Sequence, residues 1–179
     1  MTKLLSALLI ASAAVVLPAH AATLLADKSE LSFTFKQMGV PVDGRFKKFD
    51  AQLDFDAKKP EAGKIAFTVD LGSVSLGDPS FDHELAAATW FDTKRNGKAT
   101  FVSSGIKATG PGKYDVAGKL TIKGAVRDVV VPITLTNGVA QGSVPIKRLD
   151  FKIGDGEWAD TSVVANDVAV KFRLAFSGL

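Results

Sequence analysis

Residues able to do acid–base, nucleophilic or metal chemistry are scarce in this 179-residue chain, which has two histidines and no cysteine. His20 falls in an apolar N-terminal leader, so His83 is the histidine left to consider. That excludes a His-cluster metal site and any Ser-His or Cys-His pairing that needs a second histidine. Three roles are open to His83: a lone general base, a hydrogen bond to a ligand head group, or an anchor tying its own segment to backbone or a nearby carboxylate. A lone histidine most often takes the last of these. Asp50, Asp54, Asp56 and Asp70 alternate outward along their runs like a solvated sheet face, and no two carboxylates are marked as an acid–base couple. Gly154-Asp155-Gly156-Glu157 lacks the ligand count of a calcium loop and reads as a turn. No Gly-x-Gly-x-x-Gly opens a helix to cradle phosphate. Catalytic residues and metal ligands are therefore not expected, and the chain reads as a non-enzyme.

Aromatic residues are what the fold must position. Twelve phenylalanines stand against one tyrosine and two tryptophans, an aromatic surface with few polar handles that suits a dry interior. Phe33, Phe35, Phe67, Phe101, Phe151, Phe172 and Phe176 fall on inward faces and are candidate lining residues. Around them apolar and polar residues alternate at a period of two, as in Leu31–Lys36, Phe49–Asp56, Ile65–Leu71 and Val168–Phe176. Further runs at Ala99–Ile106, Tyr114–Lys123, Val129–Leu135 and Val139–Asp150 bring the expected strands to eight. Gln37–Pro41 breaks the first run, Gly72–Pro79 reads as loop, and Asn137-Gly138 is a hairpin turn. Pro132 and Pro145 argue for sheet edges or bulges. Many antiparallel strands joined by short loops suit a sandwich or a closed barrel.

The rhythm changes once. In Phe81–Asp92, Phe81, Leu85 and Ala88 recur at helical spacing beside three alanines, with Asp78 or Ser80 as N-cap. Trp90 and Phe91 follow at once, able to line a pocket, to pin the insert onto the barrel end, or both. A single helical insert in an all-strand chain is expected to act as a lid at the mouth of a container.

Lys3, the apolar run Leu4–Leu17 and the Ala19-His20-Ala21 pattern form a secretory leader cleaved after Ala21 or one residue later. Residues 1–21 are thus expected to leave a single domain over 22–179 in the periplasm. The formal net charge is +3, with no basic stripe, which argues against nucleic-acid binding.

Three stretches together resemble the YceI family of bacterial polyisoprenoid-binding proteins. They are His83-Glu84-Leu85 through Trp90-Phe91-Asp92 to Ala99-Thr100-Phe101; Gly118–Gly124 with Val129–Ile133; and Arg148–Phe151 leading to Asn166-Asp167-Val168. The resemblance implies an extended eight-stranded antiparallel lipocalin-like barrel that holds an isoprenoid tail in an apolar tunnel. Two departures lie in the lid: Ala86 where the family has glycine, and Lys94-Arg95-Asn96-Gly97 where it has proline. Lys36–Gly44 is similar to YceI proteins found beside or fused to membrane cytochrome b561, which implies a quinone-linked role and that partner. Arg148 matches a family position and is a head-group candidate beside His83; its other reading is an ion pair with Asp150 or Asp167.

Burying one CH₂ contributes about 0.8 kcal/mol, so ten give roughly 8 kcal/mol before association costs of at least ~4. Micromolar binding needs about 8 net, which a long prenyl or acyl tail supplies and a short fragment does not. The expectation is a binder of a polyisoprenoid or quinone-type lipid, with no other cofactor. Its tunnel is formed by the phenylalanines above with Phe81, Leu85, Trp90 and Phe91. The alternatives are an interaction module with a filled core, and an enzyme using His83 or the carboxylates on a lipid. Transient membrane contact and a homodimer are compatible with either binding reading.

Overall fold

The computed structural model describes residues 21–179; the expected leader lies outside them but for its last residue. The strands are β1 (Ala21–Leu24), β2 (Glu30–Gln37), β3 (Val40–Phe46), β4 (Phe49–Asp54), β5 (Lys64–Asp70), β6 (Val74–Ser75), β7 (Lys98–Gly110), β8 (Lys113–Ile122), β9 (Ala125–Thr136), β10 (Val139–Lys147) and β11 (Asp167–Ser177). Among the described residues one α-helix, α1 (Pro79–Leu85), interrupts them. The pairings are antiparallel, and β1 against β11 closes the ring.

These segments make an eight-stranded barrel because three of its staves are bent. β1 and β2 succeed one another along β11, β3 and β4 form the next stave, and β5 and β6 the third. Two of the bends are stitched together by the buried Ser73. Its hydroxyl accepts from Lys48 N–H (2.9 Å) and donates to Asp70 C=O (2.7 Å). β3 and β6 correct the sequence expectation, which read Gln37–Pro41 as a break and Gly72–Pro79 as loop. Met38 and Gly39 both take positive φ (48° and 82°), so the chain reverses in two residues and pairs back at once. β10 likewise ends at Lys147 rather than near Asp150, where Arg148–Phe151 becomes a 3₁₀ turn.

The prolines mark the end of a ladder. β9 and β10 pair only from Val139↔Thr136 to Gly142↔Ile133, whereas β10 pairs with β11 along its whole length. Pro132 is the next residue of β9 and Pro145 lies within the unpaired part of β10. Beyond that point the wall parts, with Val129 and Val131 on one side and Val144 and Ile146 on the other, all lining the interior.

Three inward phenylalanines lie on the wall against facing glycines. Phe33 is paired with Gly44 and Phe172 with Gly142, and each ring rests where a glycine Cβ would be. Phe101 rests in the same way on Gly118, where a Cβ would stand 2.5 Å from both its ring and the Val102 carbonyl. Aromatic rings covering facing glycines stabilise the sheet and leave the axis free.

Gly118→Ala is therefore expected to destabilise the fold by about 1–3 kcal/mol through overpacking, read as a lower urea midpoint at unchanged slope, because the carbonyl it meets is backbone and cannot step aside.

Candidate functional site

The barrel encloses a cavity of about 600 Å³, within the range of small-molecule sites. Its interior is not filled, contrary to the interaction-module reading. Of the residues expected to line it, Phe33, Phe35, Phe67, Phe81, Leu85, Trp90, Phe91, Phe101 and Phe172 do. Phe151 and Phe176 do not. Phe151 belongs to the 3₁₀ turn, buried beneath the Arg127 guanidinium (5.9 Å to the ring centroid), and Phe176 packs with Ala22, Leu53 and Ala140 in a cluster at the other end. Alternation gave the right face for Phe176 but not its height in the barrel.

α1 forms part of the cavity wall through Ser80, Phe81, Glu84 and Leu85. Asp78 caps it, accepting from Ser80 N–H at 2.8 Å. The helix stops at Leu85, so Ala86–Ala88 are turns despite their propensity. The chain must fold back there to bury Trp90 and Phe91, and Phe91 N–H reaches the Leu85 carbonyl (3.0 Å). Trp90 and Phe91 thus both line the cavity and pin the insert. Ala86 has right-handed helical backbone (φ −76°, ψ −17°), so glycine is not required. Where the family proline is missing, Asp92 closes the turn by accepting from Arg95 and Asn96 N–H at its carbonyl (3.0 and 2.8 Å).

Asp82 fastens the helix to the strand before it. Its carboxylate accepts from Leu76 N–H (2.6 Å) and lies 3.9 Å from Lys47 Nζ. The Leu76 hydrogen bond holds its pKa below the usual carboxylate value against partial desolvation, helped by the Ser75 hydroxyl, Lys47 and Arg45. His83 lies on the other side of α1. It is exposed, does not line the cavity, and its side chain makes no hydrogen bond among the described residues, so neither the anchor nor the head-group role is seen.

Arg148 is buried (2% exposed) and lines the cavity, yet it makes no ion pair among the described residues. Asp150 and Asp167 are both exposed, so the expected pair does not form. Nε donates to Ala165 C=O (3.1 Å), Nη1 to Ile153 (3.0 Å) and Gly154, and Nη2 to Trp158 (2.6 Å) and Val164 (2.7 Å). All five N–H groups are thereby spent on carbonyls, and burial lowers its pKa. The sequence signal was an arginine set among Ile146, Leu149, Phe151 and Ile153.

Gln37, Ser80, Glu84 and Trp158 also line the cavity and were not singled out from sequence. Trp158 packs on Trp90 (ring centroids 5.6 Å apart), so both tryptophans stand in the wall. Trp90 Nε1 is buried without an acceptor among the described residues. Gly156–Trp158 is a 3₁₀ turn, in agreement with the turn reading there. Among the described residues no group of three or more His, Asp or Glu could hold a metal ion.

The sequence matches the YceI-like domain family over residues 23–176. A UPF0312 protein of Ectopseudomonas mendocina is 34% identical over 132 residues, spanning 71% of this chain and 69% of the relative. Another, from Pseudomonas putida W619, is 32% identical over 143 residues, 80% of this chain and 68% of the relative. Among solved structures, BcnA of Burkholderia cenocepacia is similar at a TM-score of 0.81 and 47% identity, covering 84% of this chain and 98% of that one. A polyisoprenoid binding domain from Saccharophagus degradans shares the fold at a TM-score of 0.69 and 20% identity, covering 89% and 99%.

Arg148→Met strips five carbonyls, three of them buried, of their donor and is expected to destabilise the protein by on the order of 3–5 kcal/mol, measurable by urea unfolding. Because the Asp82 pKa is lowered on folding, its stabilising contribution is complete at neutral pH. It is lost as pH falls below the ordinary carboxylate value of 3.8 through the folded one. Asp82→Asn should show loosened α1, seen as faster proteolysis within residues 76–90, already at pH 7.

Proposed function

This chain belongs to the YceI-like family, and on that premise we propose that it is a periplasmic carrier of a long-tailed amphiphilic lipid of polyisoprenoid or quinone type. The observation that carries this reading is an unfilled cavity walled by Phe33, Phe35, Phe67, Phe101 and Phe172 with α1 along its side. A polar substrate would forfeit its hydration there, whereas a hydrocarbon tail gains about 0.8 kcal/mol per CH₂ buried. The relative described as a polyisoprenoid binding domain has the same fold, and the family is not one of known enzymes. The leader supports export.

A quinone-linked partnership with a membrane cytochrome b561 is a narrower form of the same reading. Its support is that the hairpin carrying the resemblance leaves Met38 and Val40 exposed (72% and 63%), as a surface that meets membrane or membrane protein does.

Both tryptophans line the cavity, so lipid entry should change intrinsic fluorescence. Titration with prenols of increasing length is expected to tighten the dissociation constant roughly fourfold per added CH₂ buried until the cavity is full, then level off. Affinity independent of tail length, together with no lipid detected by mass spectrometry in extracts of gently purified protein, would refute the proposal.

A further inference from the structure

Polar side chains along the cavity are few, and the buried guanidinium is already committed. Arg148 has no free N–H, and Thr100 lies within a row of threonines, opposite Thr68 and Thr121 of the neighbouring strands. Three others, Gln37, Ser80 and Glu84, likewise make no side-chain hydrogen bond or ion pair among the described residues, and they lie away from that row. They belong to one end of the barrel. Ser80 and Glu84 are four residues apart on α1, hence one turn apart on one face. Gln37 ends β2 and continues the inward row of Phe33 and Phe35, opposite the exposed Val40. The apolar lining thus gives way to free hydrogen-bonding groups where α1 sits.

The charges at that end are unequal in availability. Asp78 is used in capping α1, and Asp82 is held by Leu76 N–H and Lys47. Glu84 stands at the rim, exposed to solvent yet lining the cavity, and has no partner among the described residues. A hydroxyl brought there meets an acceptor, whereas a phosphate or carboxylate meets a like charge, the cations near α1, Lys47 and Arg45, being turned to Asp82. Arg148 keeps its charge but offers an anion no hydrogen bond, since all five of its N–H groups are spent on carbonyls, so it attracts only through space.

Resting on the carrier reading above, we infer that the lipid's polar end lies against Gln37, Ser80 and Glu84. The Glu84 carboxylate then selects an uncharged, hydroxyl-bearing head group over an anionic one. The free protein thereby discriminates between a prenol and its phosphate ester although both carry the same tail.

The test is tryptophan-fluorescence titration of the full domain with a long-chain prenol and with the prenyl monophosphate of equal length, at low salt and at ~0.15 M salt. Wild type should bind the alcohol at least about tenfold more tightly, with the gap narrowing as salt screens it. Glu84→Gln should remove most of the gap, chiefly by tightening the phosphate, while Asp50→Asn, an exposed outward carboxylate on β4, should leave it unchanged. Equal or tighter phosphate binding by wild type, or a gap that survives Glu84→Gln, overturns the head-group assignment while leaving the carrier reading standing. Failure of both lipids to bind overturns the carrier reading, and the assignment falls with it.

Discussion

One buried guanidinium organises the end of the barrel where the cavity meets α1. Arg148 has no carboxylate partner among the described residues, and taking a charge out of water costs several kcal/mol. Five hydrogen bonds to carbonyls of residues 153–165 offset that cost, each charge-assisted bond contributing roughly 1.5–3 kcal/mol. The loop shaped in this way then holds its neighbours. Ala165 N–H donates to Lys36 C=O, and Met38 N–H to Val163 C=O, fixing the β2–β3 hairpin. Gly154 N–H donates to Thr89 C=O, fixing the insert, and Lys123 Nζ reaches both Thr89 and Lys152 carbonyls from the β8–β9 turn. An ion pair would have satisfied the charge at one point; carbonyls satisfy it along a whole loop.

At the level of the barrel the governing constraint is volume. Eight strands make a barrel that side chains can just fill, so a cavity needs a reason. Part of it is the pairing of inward phenylalanines with glycines at Phe33/Gly44 and Phe172/Gly142, which lays rings on the wall. The rest is the early end of the β9–β10 ladder, which lets the wall spread. Both devices exchange packing density for space, and the three bent staves keep the rest of the ring paired.

The strand rhythm, the helical insert and the closing strand were legible because alternation and helical spacing are local. β3 was lost because Pro41 and Gly44 look like breakers, although a proline and a glycine are tolerated where a strand is exposed on one edge and covered by a ring from its neighbour. β6 is two residues long and owes its existence to β3. In the site, face was readable and height was not, which separates Phe172 from Phe176. His83 drew attention by rarity, yet its place on α1, off the stripe formed by Ser80, Phe81, Glu84 and Leu85, turns it to solvent. Glu84 looked ordinary beside it because partnerlessness is a property of three-dimensional neighbours.

The parted wall between β9 and β10 creates a hazard that the prolines answer. Closure removes strand edges, and any stretch where the ladder lapses restores them. Here Pro132 and Pro145 each withdraw a donor from the freed stretches, so a second chain laid along either would find an interrupted row. Charge adds to this. Continued in register, the ladder would set Asp128 of β9 against Lys147 of β10; instead Asp128 pairs with Lys119 of β8 at 2.8 Å, leaving Lys147 exposed on the open edge. Lysine and proline on an edge are the residues that disfavour edge-to-edge association. The sequence features that open the cavity are therefore the same ones that keep the opening from being sealed by another strand.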